Sequence, residues 1–295
     1  MKTAFLTIDW ETPQSFLRNL RKNNVSFEIL RHELMLSTHL LLDLFSEKNI
    51  TATFFISFSE YKLYGKNFIE KLVKLISDSG HEIGLHTHPE MIYPEVIFLK
   101  DLDYDLKVDF VKQGVEFLSN ITGKKVVSHR AGAYGISNEC LGILEQNGIL
   151  IDSSFYYGHV NCNLDFDESF KNKIFKNGNL IEVPVTTIHY KPKIHHRILN
   201  KVVHAKTDIN SINMNYWDKI IESQSENSFI NLFLHSYSLT NYSQSGISYK
   251  KESINNFNKI LDVMFKNKFK FKKLNDVLNK NNNLFKSFFT DINNF

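Results

Sequence analysis

The stretch HEIGLHTHPE, residues 81–90, sets His86 and His88 one residue apart at the end of an apolar run that Pro89 closes. Along a strand, positions i and i+2 share a face. Two imidazoles so placed can converge on one cation, each nitrogen about 2.0–2.1 Å from it. TIDWE puts Asp9 and Glu11 at the same spacing. One of these carboxylates can complete a His–His–carboxylate metal set with an open position, and the other can act as general base on a water. The plainer alternative is two acids that close a strand, one of them capping a helix. Trp10 between them is unusual for a solvent loop. His81 opens the same run at its far end and reads as structural.

Three further positions belong to the same chemistry. Arg130 ends VVSHR and can hold a base carboxylate ionised and oriented. The AGAYG that follows it supplies small residues, past which backbone N–H groups can approach a ligand, as an oxyanion hole requires. His235 ends NLFLH and suits a general acid. Asp152 can orient His235 and raise its pKa, with Asp165 and Asp167 as rivals for that role.

These residues sit at the ends of short apolar runs, and such runs recur along the chain. Strands are expected at 4–9, 51–57, 81–86, 125–130, 149–154, 180–186, 229–235 and 269–274. They are rich in β-branched and aromatic residues and mostly do not alternate, as strands covered on both faces do not. Helices are expected at about 28–48, 66–79, 105–121, 137–147, 214–226 and 250–267. SDSGHEIG and EQNGILID each show a glycine that closes a helix and leads into a strand. Seven or eight strands alternating with helices imply a parallel α/β architecture, and the count favours a (β/α) barrel over an open sheet. In such folds ligands bind at the carboxyl ends of strands, where Asp9, Glu11, His86, His88, Arg130, Asp152 and His235 all lie. Residues 155–215 are irregular by comparison, and 276–295 form a low-complexity Lys/Asn/Phe-rich tail.

Composition narrows the function classes. The 295 residues are 42% hydrophobic and carry a net charge of +3, which gives no nucleic-acid footprint. The two cysteines, Cys140 and Cys162, match no zinc or redox spacing and read as free thiols in a reducing compartment. MKTAFLTIDWE turns acidic too soon for a signal peptide, and no run of eighteen apolar residues spans a bilayer. A cytoplasmic protein without stable membrane insertion is expected.

Taken in order, these segments resemble the NodB-homology polysaccharide deacetylases, carbohydrate esterase family four. FLTIDWE is similar to the first motif of that family, an Asp-x-acid after strand one. GHEIGLHTHP resembles the second, usually Gly-His-Glu-Ile-Gly-x-His-Ser/Thr-x-x-His-Pro. SHRAGAYG resembles the third, DSSF a remnant of the fourth, and LFLHSYS the fifth, Leu-x-His. TATFFI matches the second strand, and the likeness runs from about residue 4 to 275.

The resemblance implies a deformed (β/α)7–8 barrel over 1–275 as one catalytic domain and a divalent metal, most commonly zinc. It also implies hydrolysis of an N-acetyl or related acyl group from an amino sugar. Carried over, Asp9 is the general base and Glu11 a metal ligand beside His86 and His88. Arg130 tethers the base, His235 is the general acid, and the Tyr134 N–H is the oxyanion donor. Trp10 and Phe233 are assigned to substrate binding, with Phe233 shaping the acyl pocket.

Four departures mark a variant. Glu11 replaces the usual Asp, and the histidines are two apart instead of four. An extra residue separates Arg130 from Tyr134, and Phe233-x-His235 replaces Leu-x-His. The expected partner is a carbohydrate, nucleotide- or lipid-linked or free, in surface glycan biosynthesis. His195, His196 and the SFYYGH stretch at 154–159 are candidates to line the substrate groove. Alternatives are a deformylase or other amide hydrolase of the superfamily, or a non-catalytic carbohydrate-binding relative.

Overall fold

The computed structural model describes residues 2–13, 27–190, 203–226, 228–243, 246–279 and 290–291. His195, His196 and most of 276–295 lie outside the described residues. One sheet dominates. Its strands are β1 (Lys2–Trp10), β2 (Thr53–Ser57), β3 (Glu82–Thr87), β4 (Ser128–Ala131) and β5 (Ile151–Asp152). The chain continues with β6 (Phe175–Asn177), β7 (Leu180–Glu182), β8 (Phe229–His235), β9 (Phe269–Lys272) and β10 (Thr290–Asp291). Their spatial order is β8-β1-β2-β3-β4-β5-β7-β6-β10, with β9 also paired to β1. All neighbours are parallel except β6 and β7.

Seven α-helices are found among the described residues: α1 (Phe27–Glu47), α2 (Tyr61–Tyr64), α3 (Lys66–Asp78), α4 (Tyr104–Thr122), α5 (Asn138–Gln146), α6 (Met214–Glu222) and α7 (Lys251–Lys266). Each long helix turns an apolar stripe to the sheet. On α1 that stripe includes Leu34, Leu41 and Phe45, all buried in the main core with Leu6 and Ile8. The glycines after α3 and α5, Gly80 and Gly148, take φ of 88° and 82°. This left-handed geometry ends a helix cheaply only at glycine.

The sheet curls, and alternation along each strand sorts side chains into two environments. On β1, Ala4, Leu6, Ile8 and Trp10 join the helix-side core, while Phe5 joins Phe55, Ile151, Ile181 and Phe229 in a second, inner core. Among the described residues, no strand ladder closes the curl between β7 and β8. Residues 184–186 and 207–208 stitch the seam instead. Thr207 N–H donates to the Thr186 carbonyl at 3.0 Å, Phe233 N–H to the Thr207 carbonyl at 2.9 Å, and Asn231 N–H to Thr186 Oγ1 at 2.8 Å. The result is the deformed barrel that the strand count implied. The expected strands at 125–130, 149–154 and 180–186 are shorter, and the end of the last leaves the ladder to make the seam contacts. No described helix is long and apolar enough to cross a membrane.

Candidate metal and catalytic site

The inner row of β1 reads Phe5, Thr7, Asp9, Glu11, and that of β8 reads Phe229, Asn231, Phe233, His235. The register sets Asp9 beside His235, and His86 of β3 beside Arg130 of β4. Apolar residues fill the bottom of the barrel and ionisable ones its carboxyl-end mouth.

Glu11, His86 and His88 converge there, all three buried. Glu11 Oε2 lies 2.6 Å from His88 Nε2 and 3.1 Å from His86 Nε2, and the two Nε2 atoms are 3.2 Å apart. Three donors on a tetrahedral ion would stand about 3.4 Å from one another, so the set is close to ligand spacing. The ring orientations are fixed from behind. His86 Nδ1 lies 2.8 Å from the Arg130 carbonyl, which can only accept, so Nδ1 carries the proton and Nε2 a lone pair. His88 Nδ1 lies 3.0 Å from Glu90 Oε1, the carboxylate support typical of metal-binding histidines. Burial raises the Glu11 carboxyl, but His88 and His86 outweigh it and hold the pKa well below the ordinary value. Burial lowers His88, yet Glu11 and Glu90 hold it well above its ordinary value. Once His88 gives up its Nε2 proton, three lone-pair donors face one point and suit a cation there. The donor set of two imidazoles and a carboxylate fits a divalent ion such as zinc.

Backbone ties keep Glu11 in place. Ser236 Oγ donates to the Glu11 carbonyl at 2.9 Å and accepts its N–H at 3.4 Å. Thr12 donates to both oxygens of Glu60, at 2.8 and 2.7 Å. Burial raises Glu60 to about 7 despite those bonds. Gly132, from AGAYG, leaves room for a ligand: a Cβ there would lie 2.6 Å from His88 Nε2 and 2.6 Å from the Thr87 carbonyl.

Asp9 is held by Arg130, whose Nη1 donates to Asp9 Oδ1 at 2.9 Å and to Thr7 Oγ1 at 3.0 Å. Two more guanidinium protons go to Ser153, from Nε to its carbonyl at 3.1 Å and from Nη2 to its Oγ at 3.0 Å. Burial pushes the Asp9 carboxyl up, but His86, Arg130 and His235 together hold it below the ordinary range. The second oxygen, Oδ2, is 3.7 Å from His86 Nε2. A charged carboxylate beside the cation point is placed to take a proton from a water bound there.

His235 flanks Glu11 from the other side, Nε2 to Oε1 3.8 Å, with its side chain 23% exposed. Its ring stacks on Tyr237 at 4.7 Å and meets the edge of Phe233 at 4.8 Å. Burial lowers its pKa, Glu11 opposes that, and Lys206 lowers it further, for a net downward shift. An imidazolium there would be a stronger acid than usual. Ala133 and Tyr134 take φ of 47° and 59°, a left-handed pair that turns the chain sharply past the site. Tyr134 is buried and its hydroxyl accepts from Lys206 Nζ at 3.1 Å.

Two expectations are corrected. Asp152 does not meet His235: its Oδ1 lies 2.7 Å from His129 Nδ1, on the helix side of the sheet. It is one residue out of phase with the inward Ser153, so alternation turns it away from the site. Trp10 faces that same outer core, fully buried, and donates from Nε1 to Thr38 Oγ1 at 2.8 Å, so it cannot contact a substrate. Asp165 and Asp167 are not partners of His235 either. Asp165 bonds Asn138, Asp167 caps Ser169 N–H, and both are exposed. Phe233 lies in the site but beneath its floor, with Lys206 Nζ 3.5 Å from its ring centre. His81 is structural: its Nδ1 accepts Ala52 N–H at 3.2 Å and its ring packs on Phe45 and Phe54.

The sequence reading missed Lys206 and Asp208, 3.6 Å apart at the mouth. It also missed Thr7, Ser153, Asn231 and Glu90. The i, i+2 rule that picked out Asp9 and Glu11 also reaches Thr7 and Asn231, and it selects Lys206 with Asp208. Those last two lie in a stretch with no apolar strand pattern to anchor the count.

Residues 35–151 match the family model for polysaccharide deacetylase. That span contains His86, His88 and Arg130 but not Asp9, Glu11 or His235. No curated protein matches the chain. Among solved structures, a candidate polysaccharide deacetylase from Mycobacterium smegmatis is similar at 15% identity, TM-score 0.63, covering 94% of this chain and 88% of its own. A CE4 family pseudoenzyme from Bacillus anthracis is similar at 11% identity, TM-score 0.50, over 94% and 66%. A mutant form of that pseudoenzyme with restored enzymatic activity is similar at 12% identity, TM-score 0.50, over 94% and 68%. At these identities the structural matches establish the fold, and the family model adds the sequence relationship.

Proposed function

We propose, from the premise that this chain is a divergent relative of the polysaccharide deacetylases and a hydrolase of carbohydrate carbon–nitrogen bonds, that it removes an N-acetyl or related acyl group from an amino sugar of a glycan precursor. The observation that carries this reading is the convergence of Glu11, His86 and His88 within 3.2 Å, with Arg130-held Asp9 and His235 on either side.

Glu11, His86 and His88 would hold a divalent metal, zinc in this proposal. When bound, it would supply Lewis-acid polarisation of the acyl carbonyl and of the attacking water. Asp9, kept ionised by Arg130 and His86, accepts a proton from that water. The water oxygen adds to the acyl carbon, and the carbon–nitrogen bond then breaks. His235 gives its proton to the departing amine, so the products are the free amino sugar and the carboxylic acid. Asp9 then releases its proton to solvent and His235 regains one, which restores the starting state. The opposed environments suit the roles: Asp9 is pulled below its ordinary pKa by cations, and His235 gives up a proton readily. The Tyr134 N–H is assigned to the tetrahedral oxyanion on the strength of the turn after Arg130. A cytoplasmic location belongs to the same proposal and is tested by cell fractionation.

The deciding experiment incubates the zinc-loaded protein with N-acetyl and N-formyl amino sugars, free and nucleotide-linked, and follows acetate or formate release. Release that a strong chelator abolishes and added zinc restores is expected. Failure on every sugar, together with no zinc by elemental analysis, would favour a non-catalytic carbohydrate-binding protein.

A further inference from the structure

The mouth of the barrel holds two cations, and they differ in availability. Arg130 is fully buried, and its guanidinium is held by Asp9, Thr7 and Ser153 out of reach of a ligand. Lys206 is not so held. Its ammonium has one hydrogen-bond acceptor among the described residues, Tyr134 Oη at 3.1 Å. Asp208 stands at 3.6 Å, an ion pair too long for a hydrogen bond. The Phe233 ring supports the ammonium from below at 3.5 Å. The side chain is 18% exposed, enough for a ligand to reach it.

Lys206 also sits beside the chemistry. Its ammonium rests on the Phe233 ring, and that ring meets the His235 ring edge-on at 4.8 Å, which puts Lys206 near the departing nitrogen. Burial lowers Lys206 itself, while Asp208 and Asp9 oppose that shift. From Lys206 an aromatic wall runs outward. Tyr134 meets Tyr156 and His159 edge-on, each at 5.2 Å, and Tyr156 stacks on His159 at 4.8 Å. Tyr156 and His159 are both half-buried. Aromatic faces of this kind suit the apolar face of a sugar ring, and a donor-rich ammonium at their inner end suits an oxyanion.

We infer that Lys206 is a specificity residue that selects acylamino sugars bearing an anionic substituent, a carboxylate or a phosphate, close to the acyl group. The inference rests on the de-N-acylation reading and narrows its substrate class. A neutral sugar would leave those ammonium N–H groups that Tyr134 Oη does not take without a hydrogen-bonded anion, which sets the size of the discrimination at about 10–100-fold.

The test compares three substrates: an N-acetylhexosaminuronate, an N-acetylhexosamine 1-phosphate and the neutral N-acetylhexosamine. The zinc-loaded wild type is expected to prefer one anionic sugar by about 10–100-fold in kcat/KM, mostly through KM. Whichever anion shows the larger ratio identifies the substituent. Lys206→Met should abolish the preference and Lys206→Arg should restore most of it. Lys206→Gln supplies a second neutral variant if the methionine form does not fold. An unchanged ratio in the neutral variants, or a wild type that prefers the neutral sugar, overturns the assignment. Calorimetric binding of the same sugars to the Asp9→Asn protein separates the two ideas. Lys206-dependent binding of an anionic sugar without hydrolysis by the wild type would leave this inference standing and sink the deacylase reading. Hydrolysis without anion preference would do the reverse.

Discussion

Two buried clusters of ionisable side chains lie on opposite faces of the sheet and meet at β4. On the inner face are Asp9, Glu11, His86, His88, Arg130 and His235. On the outer face are His129, next to Arg130 on β4, Asp152 of β5 and Glu182 of β7, with bonds to Ser154 and Thr87. The outer cluster is sealed, with all three side chains at 0% exposure. Burial and the neighbouring Asp152 push the Glu182 carboxyl well above its ordinary pKa, so it keeps its proton. Burial lowers His129 even against Asp152, so it stays neutral. That face therefore resolves its charges internally. The inner face aims Glu11 Oε2 and the Nε2 atoms of His86 and His88 at one point and leaves His235 partly open. Residue type is nearly the same on both sides. What separates chemistry from scaffolding is whether the charges are satisfied by each other or held ready for something outside.

The comparison can be broken by mutation. The largest effect is expected for Asp9→Asn, which removes the base. The kcat should fall by about 10²–10⁴ in steady-state deacylation, and a variant that kept full activity would end the assignment. Next comes Gly132→Ala, whose new methyl collides with the His88 ring and the Thr87 carbonyl. Zinc affinity, measured by chelator competition, should weaken by about 10–100-fold, as for a disturbed supporting shell. A third expectation concerns pH. His88 is held above its ordinary pKa and must lose its proton before Nε2 can bind a metal. Zinc affinity should therefore rise with pH through the neutral range, by up to about tenfold per unit. A flat profile would remove His88 from the ligand set. The smallest catalytic effect belongs to the outer cluster. Asp152→Asn should leave kcat/KM within about threefold while lowering stability to urea by about 1–3 kcal/mol. Loss of activity comparable to that of Asp9→Asn would show that the two faces are one functional unit.

The sequence made the strands readable because most of them are covered on both sides and so appear as unbroken apolar runs. It made the metal set readable because Asp9–Glu11 and His86–His88 obey a spacing of two at the ends of such runs. The two errors share one cause. Asp152 and Trp10 were placed by nearness to a strand end, whereas the pleat decides which side of the sheet a residue faces. Parity counted from Arg130 and Asp9 would have excluded both. Lys206 and Asp208 obey the same spacing of two but lie at and just past the end of a short two-stranded ladder of 187–190 with 203–206 that carries no long apolar run to anchor the count. Only the fold brings 207–208 against β8.

The pairing of β1 has a consequence for how the protein is made. One edge of β1 lies along β8 through Thr3–Asp9, and the other is shared between β9 and β2. The strand that carries Asp9 and leads directly into Glu11 thus finds two of its three partners in the last quarter of the chain. Ser236, which fixes Glu11, is 225 residues downstream of it. At about 5–20 residues per second, a ribosome needs roughly 10–45 s to cover that distance. Throughout that interval β1 has an open edge, and the emerging chain lacks both the acid at His235 and the clasp on Glu11. A nascent or truncated chain would therefore lack a complete candidate site and be prone to edge-to-edge association until the C-terminal strands dock.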